Sequence, residues 1–411
     1  MTDDVVAELG RYQSRAWPLL FRLAGLVDVE AHADGSWVVG ESGRRYLDLG
    51  SFSVFLFGHR HPKVVDAVRR QLELLPVSSR ALPTRGGAAA GRALASLFPF
   101  EVKVQFLNSG AEAVEAAIRL ARAGTTGPAR PLAAVADGYH GRTSAASALS
   151  GLDGPHVEHV VRLPREDRDQ AVDLIERTGP AAVFVEAVQG EGGARPLSDD
   201  YLVAIRAACD TTGALLVCDE IQCGLGRCGT TWAYETSGIR PDVVLVGKAL
   251  GGGVVPVTAL VATGAAFAPL DRDPFLCTST FAGNPLAAAA VTATVALLDE
   301  EAVADRCRAT GRALEQVLAR LHADFGAAVT GHDGRGLLRS LTFARPDLAG
   351  EFLHAVLARG VLVTPCLRAP RTVRVTPSAF LTADELATAE QALRAAAAVA
   401  RSVIDNESVR S

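Results

Sequence analysis

Nucleophilic amines are scarce in this chain, because only three of its 41 basic residues are lysines. Lys248 follows the apolar run 243–247 and precedes three glycines at 251–253. A lysine at a strand end, beside glycines that allow close approach, can form a Schiff base with a carbonyl compound when it is desolvated or near other cations. Lys63 and Lys103 lie at positions typical of solvated lysines. Lys248 is therefore the candidate nucleophile, with a surface turn as the alternative.

A carboxylate stands at the end of a neighbouring apolar run. Asp219 follows Ala214–Cys218, one predicted strand before Lys248. A buried acid needs a cationic partner, and the pyridinium nitrogen of pyridoxal phosphate is such a partner. An ionised aspartate keeps that nitrogen protonated and makes the ring an electron sink. A helix cap and a metal ligand are the alternatives for Asp219.

Three more predicted strand ends carry polar or small residues. Asn108 to Glu112 opens a helix whose first backbone N–H groups could hold a phosphate, although the spacing by itself favours a simple capping box. Tyr139 to Arg142 could place an aromatic face over a ring, or form an ordinary loop. Arg374 could bind a carboxylate through two parallel hydrogen bonds, or be a solvated strand arginine.

The elements that must position these residues follow from the apolar pattern. Runs that resemble strands alternate with helical spacing, and several runs are apolar throughout, which is typical of a sheet buried on both faces. We therefore predict an α/β fold with a mainly parallel sheet whose carboxyl ends hold the ligand site. The predicted strands are 104–107, 132–136, 182–186, 214–219, 242–247 and 257–262, and the predicted helices include 111–122 and 199–209.

Three segments are expected in a chain of 411 residues. Residues 1–50 form short strands that belong with a small domain, and residues 51–295 form the large, ligand-binding domain. Residues 296–411 form a smaller α+β domain. A long helical tract is predicted from Pro285 to about Leu321.

Composition excludes several classes of protein. The hydrophobic content of 49% and the net charge of −5 fit a globular protein and give no electrostatic reason to bind nucleic acid. The N-terminus has no apolar leader and no apolar stretch is long enough to cross a membrane, so we expect a cytoplasmic enzyme. The seven scattered cysteines predict free thiols, and no metal is expected, although Cys218, Cys223 and Cys228 are evenly spaced.

Seven motifs together resemble the class III pyridoxal-phosphate aminotransferases of fold type I, over nearly the whole chain. Each motif is weak by itself, but all seven occur in the order of that family. They are Asn-Ser-Gly-Ala-Glu-Ala at 108–113, Tyr-His-Gly-Arg-Thr at 139–143, Val-Gln-Gly-Glu-Gly-Gly at 188–193, Asp-Glu-Ile-Gln at 219–222, Gly-Lys-Ala-Leu-Gly-Gly-Gly at 247–253, Ser-Thr-Phe-Ala-Gly-Asn-Pro at 279–285 and Arg-Val-Thr-Pro at 374–377.

The resemblance implies a role for each matching residue. Lys248 would bind pyridoxal 5'-phosphate covalently and move a proton, and Asp219 would pair with the ring nitrogen. The cofactor-binding residues would be Ser109, Gly110 and Ala111 at the phosphate, Tyr139 and Ile221 on the two ring faces, Gln222 at the phenolic oxygen, and Thr280 at the phosphate of a neighbouring subunit. The last role implies a homodimer with shared active sites.

The resemblance also implies how substrates bind. Arg374 matches an arginine that holds the α-carboxylate of glutamate, Glu191 matches its partner when that carboxylate is absent, and Arg142 matches an arginine for a second carboxylate. Phe52 replaces a tyrosine that ornithine aminotransferases have, which favours a donor without an α-carboxylate. Ala187 and Ser378 replace prolines that are usual in the family.

The expected activity is transfer of an amino group from a diamine or ω-amino substrate to 2-oxoglutarate by a ping-pong mechanism. The likeness is strongest to putrescine-type and ornithine or acetylornithine aminotransferases. A biosynthetic aminotransferase of the latter type, a class III aminomutase or racemase, and a cofactor-free interaction protein are the alternatives. Neither a nucleic acid nor a membrane is an expected partner.

Overall fold

The computed structural model describes residues 2–23, 25, 28–125, 129–152 and 159–410. The chain begins with two helices and a short antiparallel meander, and two helices then lead to the central sheet. These elements are α1 (Thr2–Tyr12), α2 (Ala16–Leu23), β1 (Glu30–Asp34), β2 (Trp37–Gly40), β3 (Arg45–Asp48), α3 (Pro62–Leu74) and α4 (Arg85–Ala95).

A seven-stranded sheet forms the centre, in the order β4-β12-β11-β10-β7-β5-β6. All of its strands run parallel except β12, which pairs antiparallel with both neighbours. The fold class and the predicted strands are therefore confirmed. The elements of this region are β4 (Val102–Leu107), α5 (Gly110–Ala123), β5 (Leu132–Val135), α6 (Ser144–Ser150), β6 (Val160–Leu163), α7 (Arg168–Thr178), β7 (Ala182–Val185), β8 (Val188–Gln189), β9 (Arg195–Pro196), α8 (Asp199–Thr212), β10 (Leu215–Asp219), β11 (Val243–Val246), β12 (Thr258–Thr263) and α9 (Gly264–Arg272).

The apolar strands are buried on both faces because successive side chains enter two different cores. In β11, Val244 and Val246 pack into one hydrophobic cluster, while Val243 and Leu245 pack into the other. This alternation follows from the two-residue period of a strand. It leaves the strand ends as the place where polar groups can meet a ligand.

The C-terminal part builds a second sheet, in the order β13-β14-β17-β16, against three helices. A short strand, β15, instead pairs with β3, so the N-terminal meander is joined to the C-terminal part. The domain boundaries remain predictions, and residue 295 lies within a helix. The elements are α10 (Pro285–Glu300), α11 (Val303–Asp324), β13 (Val329–Arg335), β14 (Leu338–Phe343), α12 (Pro346–Leu357), β15 (Val361–Leu362), β16 (Thr364–Pro365), β17 (Thr372–Val375) and α13 (Ala383–Arg410).

The predicted tract from Pro285 to Leu321 is two helices rather than one. The break falls at Ala302, which has a left-handed φ of 47°. Three consecutive acidic residues, 299–301, precede it. Negative charge is unfavourable at a helix C-terminus and favourable near an N-terminus, so this sequence favours a stop and a new start.

Arg227 connects the two parts of the molecule. Its guanidinium group is fully buried and donates to the carbonyl oxygens of Ser53, Leu337 and Pro377. Burial lowers the pKa of Arg227, since no carboxylate pairs with it among the residues described. One guanidinium group therefore donates hydrogen bonds to carbonyl groups of three segments that are distant in the sequence.

Arg227→Ala should lower the free energy of unfolding by about 3 kcal/mol, because it leaves buried carbonyls without donors and opens a cavity. Urea denaturation checks this. The matched control is Arg320→Ala, which removes a surface pair with Glu390 and should cost less than about 1 kcal/mol. Equal losses in the two variants would show that Arg227 does not join these segments.

Candidate active site

A cavity of about 300 Å³ lies at the carboxyl ends of the central strands. Eight of the residues singled out from the sequence line it, and so do three that were given no role. The lining residues are Gly110, Ala111, Tyr139, His140, Gly141, Arg142, Glu186, Asp219, Ile221, Gln222 and Lys248.

Lys248 enters this cavity directly from the end of β11. Its backbone has a left-handed φ of 42°, which costs energy for a residue with a side chain and is typical of functional sites. Gly247 leaves no room for a Cβ atom, which would lie 2.9 Å from Thr258 Cγ2. Burial, and after it the charge of Arg374, lowers the pKa of the Lys248 amine. The two other lysines form exposed ion pairs, as expected.

Asp219 is buried and fixed by two contacts. Its Oδ2 lies 2.8 Å from His140 Nδ1, and its Oδ1 accepts a hydrogen bond from the Ile221 amide at 3.1 Å. Burial by itself lowers the pKa of His140, but the hydrogen bond and charge of Asp219 outweigh it, so this pKa is raised. The hydrogen bond with Asp219 therefore favours a protonated His140 imidazole.

His140 and Glu186 are residues that the sequence analysis missed. Glu186 accepts hydrogen bonds from the amides of Tyr139 and Gly190 at 2.7 and 3.1 Å, and burial raises its pKa to about 7. It therefore ties the turn of Tyr139 to the turn of Glu191. His140 lies within the quoted motif at 139–143, and Glu186 is the last residue of the predicted strand 182–186, so the positions of both residues were the available signal.

The structure bears on both predictions for the segment 108–112. Ser109 Oγ accepts from the Glu112 amide, so Ser109 is the N-cap that the sequence offered. The Glu112 carboxylate accepts from the amide of Asn108, the residue before the cap, and so does not complete the expected capping box. Gly110 and Ala111 occupy the first turn of α5, where N–H groups have no acceptor within the helix. A Cβ atom on Gly110 would lie 3.1 Å from Ile221 Cδ1, so a larger residue here would have to displace the Ile221 side chain.

Glu191 and Arg374 form a buried ion pair behind the cavity, as the resemblance implied. Their side chains are 4% and 0% exposed. Glu191 Oε2 also accepts from the Leu367 amide at 2.9 Å, while Arg374 donates to Gln222 Oε1 at 3.5 Å. Gln222 in turn donates to Ser53 Oγ at 2.9 Å, a contact that the sequence analysis did not predict.

Three predicted residues lie apart from this cluster. Arg142 is exposed at the rim of the cavity. Phe52 is 55% exposed at the apex of a left-handed turn, where three successive residues have positive φ. Thr280 is exposed and does not line the cavity.

The cysteines and the glycine-rich segment that the sequence analysis considered lie in ordinary structural positions. All seven cysteines are free and buried, and no cluster of possible metal ligands occurs among the described residues. The glycines at 224–229 form turns without a following α-helix. Within the described part of the chain, no helix combines the length and apolar character needed to span a bilayer.

These residues fit pyridoxal phosphate. The cavity offers an amine for its aldehyde, a buried carboxylate for its ring nitrogen and the first turn of a helix for its phosphate. The family model for Aminotransferase class-III matches residues 26–397. The chain belongs to the class III aminotransferases. Members of this family depend on pyridoxal phosphate.

Known relatives support the assignment. The chain is similar to a putrescine aminotransferase from Pectobacterium atrosepticum, with 37% identity over 87% of this chain and 80% of the relative. It also resembles an ornithine aminotransferase from Toxoplasma gondii, with a TM-score of 0.88, 27% identity and coverage of 99% and 96% of the two chains. Another structure of the Toxoplasma enzyme, with partial occupancy of pyridoxal phosphate, matches with a TM-score of 0.84, 29% identity and 90% coverage of both chains.

Arg374→Met should raise the pKa of Lys248, because it removes a nearby cation. The neutral amine is the nucleophile, so the midpoint of the pH profile for covalent attachment of pyridoxal phosphate to the apoenzyme should move to higher pH. Stopped-flow absorbance measures it. Arg142→Met is the control, since this exposed arginine lines the same cavity but is screened by water. A shared shift, or none with Arg374→Met, would contradict the assignment.

Proposed function

We propose that this enzyme transfers an amino group from a diamine or ω-amino substrate to 2-oxoglutarate in two half-reactions, by a ping-pong mechanism. The observation that carries the proposal is the buried pair of Glu191 and Arg374. Arg374 can bind a substrate carboxylate, and Glu191 neutralises Arg374 when the substrate has no carboxylate at that position.

Bound pyridoxal phosphate supplies a reactive aldehyde and an electron-withdrawing ring. Lys248 Nζ would be the point of covalent attachment and would carry the proton between substrate and cofactor. Asp219 would keep the ring nitrogen protonated, and His140 orients Asp219 through the 2.8 Å hydrogen bond. Tyr139 and Ile221 would contact the two ring faces, Gln222 would bind the phenolic oxygen, and the amides of Gly110 and Ala111, next to Ser109, would bind the phosphate.

The charge of Arg374 decides which substrates are accepted. Glutamate or 2-oxoglutarate brings an α-carboxylate that replaces Glu191 at Arg374, while Arg142 at the rim takes the second carboxylate. A diamine brings no carboxylate, and Glu191 then keeps its pair with Arg374. A buried arginine without a partner would be costly, so a movable glutamate lets one cavity take both kinds of substrate.

Phe52 does not line the cavity, but its presence in place of the tyrosine of ornithine aminotransferases favours a donor without an α-carboxylate. Phe52 has no hydroxyl that could bind an α-amino acid, and the relative from Pectobacterium acts on putrescine by its name. Ser378, which replaces a usual proline, is buried and donates to the Leu56 carbonyl at 3.3 Å. Ala187, the other departure, is also buried. Both contribute to the packing around the site rather than to its charge.

A homodimer with shared active sites is part of the proposal. Large apolar side chains are exposed near Arg80 and near residues 278–282. Arg80 joins the two segments by donating to the Thr278 hydroxyl and to the carbonyls of 279, 280 and 282. The exposed side chains include Leu82 at 74%, Phe275 at 77% and Phe281 at 58%. Clustered exposed apolar residues mark contact surfaces. Thr280 lies on this surface, where it could reach the phosphate bound by a second copy.

A screen of amino donors with 2-oxoglutarate as acceptor tests the activity. Putrescine and longer diamines should give glutamate, and ornithine and acetylornithine should react more slowly because Phe52 has no hydroxyl to bind the polar groups on their α-carbon. Faster reaction with acetylornithine would favour the alternative aminotransferase. Failure of 2-oxoglutarate to restore the aldehyde form of the cofactor would instead favour an aminomutase or racemase.

Glu191→Ala should slow the amine half-reaction at least tenfold more than the glutamate half-reaction. Breaking a buried ion pair costs about 3–5 kcal/mol, reduced here by water that enters the open site. With glutamate bound, the substrate carboxylate takes the place of Glu191, so the loss should be small. Single-turnover absorbance measurements give the two rates separately.

Glu166→Ala is the matched control for this variant. Glu166 is 77% exposed, and its Oε1 lies 3.9 Å from Arg195 Nη1, so its removal breaks ion pairs of an exposed carboxylate and should leave both rates unchanged. A larger loss with glutamate than with the amine in Glu191→Ala would refute the dual-substrate role of the pair.

A further inference from the structure

A second cavity, of about 470 Å³, lies between the Glu191 turn and the C-terminal sheet. It shares no lining residue with the candidate active site. Gly192, Gly193 and Arg195 form one wall, and Arg368, Arg371 and Thr372 are part of the other. Three guanidinium groups therefore border a space that the proposed reaction does not use.

The three arginines differ in how their charges are balanced. Arg195 is neutralised by Asp137, with Nη2 to Oδ2 at 2.6 Å. Arg371 is exposed and donates only weakly to the Ala344 carbonyl at 3.4 Å. Arg368 has no carboxylate partner among the described residues, and its buried Nε atom has no acceptor there. Asp333 also lines the cavity, where its Oδ1 accepts a hydrogen bond from the Gly334 amide at 2.7 Å. Three arginines therefore face two carboxylates, and Arg368 is the half-buried cation that neither carboxylate pairs with.

A second cation stands beside Arg368. An ideal Cβ atom on Gly151 would lie 3.2 Å from Arg162 Nη2 and 3.4 Å from Arg368 Nη2, so both groups flank one glycine. Arg162 already donates to the carbonyls of Ala148 and Leu149 at the end of α6. Two like charges at a half-buried place repel each other, and an anion between or beside them would relieve that repulsion.

The loop that carries Arg368 also forms two hydrogen bonds with Glu191. The amide of Leu367 donates to Glu191 Oε2 at 2.9 Å, and the amide of Arg368 donates to the Glu191 carbonyl at 3.0 Å. An anion that fixes Arg368 would therefore fix the backbone that keeps Glu191 on Arg374.

We propose that this cavity is a binding site for a small oxyanion, a carboxylate or a phosphate, with Arg368 as its principal ligand and Arg371 as a second. Anion binding stabilises the closed pair of Glu191 and Arg374 and so weakens glutamate binding. This second effect rests on the proposed function, whereas anion binding itself does not.

Isothermal titration of the holoenzyme with inorganic phosphate, and separately with succinate, tests the site. The bound cofactor fills its own phosphate site, and its absorbance reports any anion that enters beside it. We expect saturable binding without a spectral change, and at least tenfold weaker binding in Arg368→Gln. A preference for phosphate or for succinate identifies the source of the oxyanion.

Control variants make the outcome decisive. Arg368→Lys keeps the charge and should restore part of the affinity, while Arg320→Gln, a surface arginine far along α11, should bind like the unaltered enzyme. Absence of saturable binding, binding accompanied by the same spectral change in every variant, or unaltered affinity in Arg368→Gln would each overturn the site.

A separate measurement tests whether anion binding at Arg368 affects the pair of Glu191 and Arg374. Phosphate should raise the KM for glutamate in the unaltered enzyme and have no such effect in Arg368→Gln. If phosphate binds at Arg368 while the KM for glutamate stays the same, the site stands and its coupling to Glu191 is refuted. If no amine is transaminated at all, the titration still decides whether the anion binds.

Discussion

The burial of charge at the carboxyl ends of the central strands is the constraint on which the site depends. A carboxylate such as Asp219 is stable there only when other groups compensate for the loss of water. The structure provides His140 for Asp219, backbone amides for Glu186 and Arg374 for Glu191. Each of these partners comes from a different segment of the chain. The contacts that stabilise the buried charges are therefore the same contacts that assemble the site.

These pairs also bear on the proposal that one scaffold accepts two kinds of substrate. The central sheet and α5 hold the residues that we propose bind the cofactor, and the strands of the sheet are buried on both faces. Glu191, in contrast, lies on a turn that is held by hydrogen bonds from Leu367 and Arg368. A turn held by a few polar contacts can exchange one partner for another at a small cost, whereas a packed strand cannot.

The N-terminal segment takes part in the site through Ser53 rather than through a catalytic group. Its hydroxyl accepts from Gln222 and its carbonyl accepts from Arg227. Three successive left-handed residues end at Ser53, and this costly conformation persists because contacts on both sides hold it. Phe52 is thereby presented to solvent at the apex, where a substrate or a second copy of the chain can contact it.

The sequence by itself determined the strands, the order of motifs and the choice of Lys248 among three lysines. These follow from local periodicity and composition, which a single segment contains. It did not determine that His140 would meet Asp219 across 79 residues or that Ser53 would meet Gln222 across 169. Nor did it determine that Arg368 would lie beside Arg162 with no carboxylate partner among the residues that the structure describes. Such partners are chosen by the packing of distant elements, because burial makes an unpaired charge costly without specifying which segment will compensate for it.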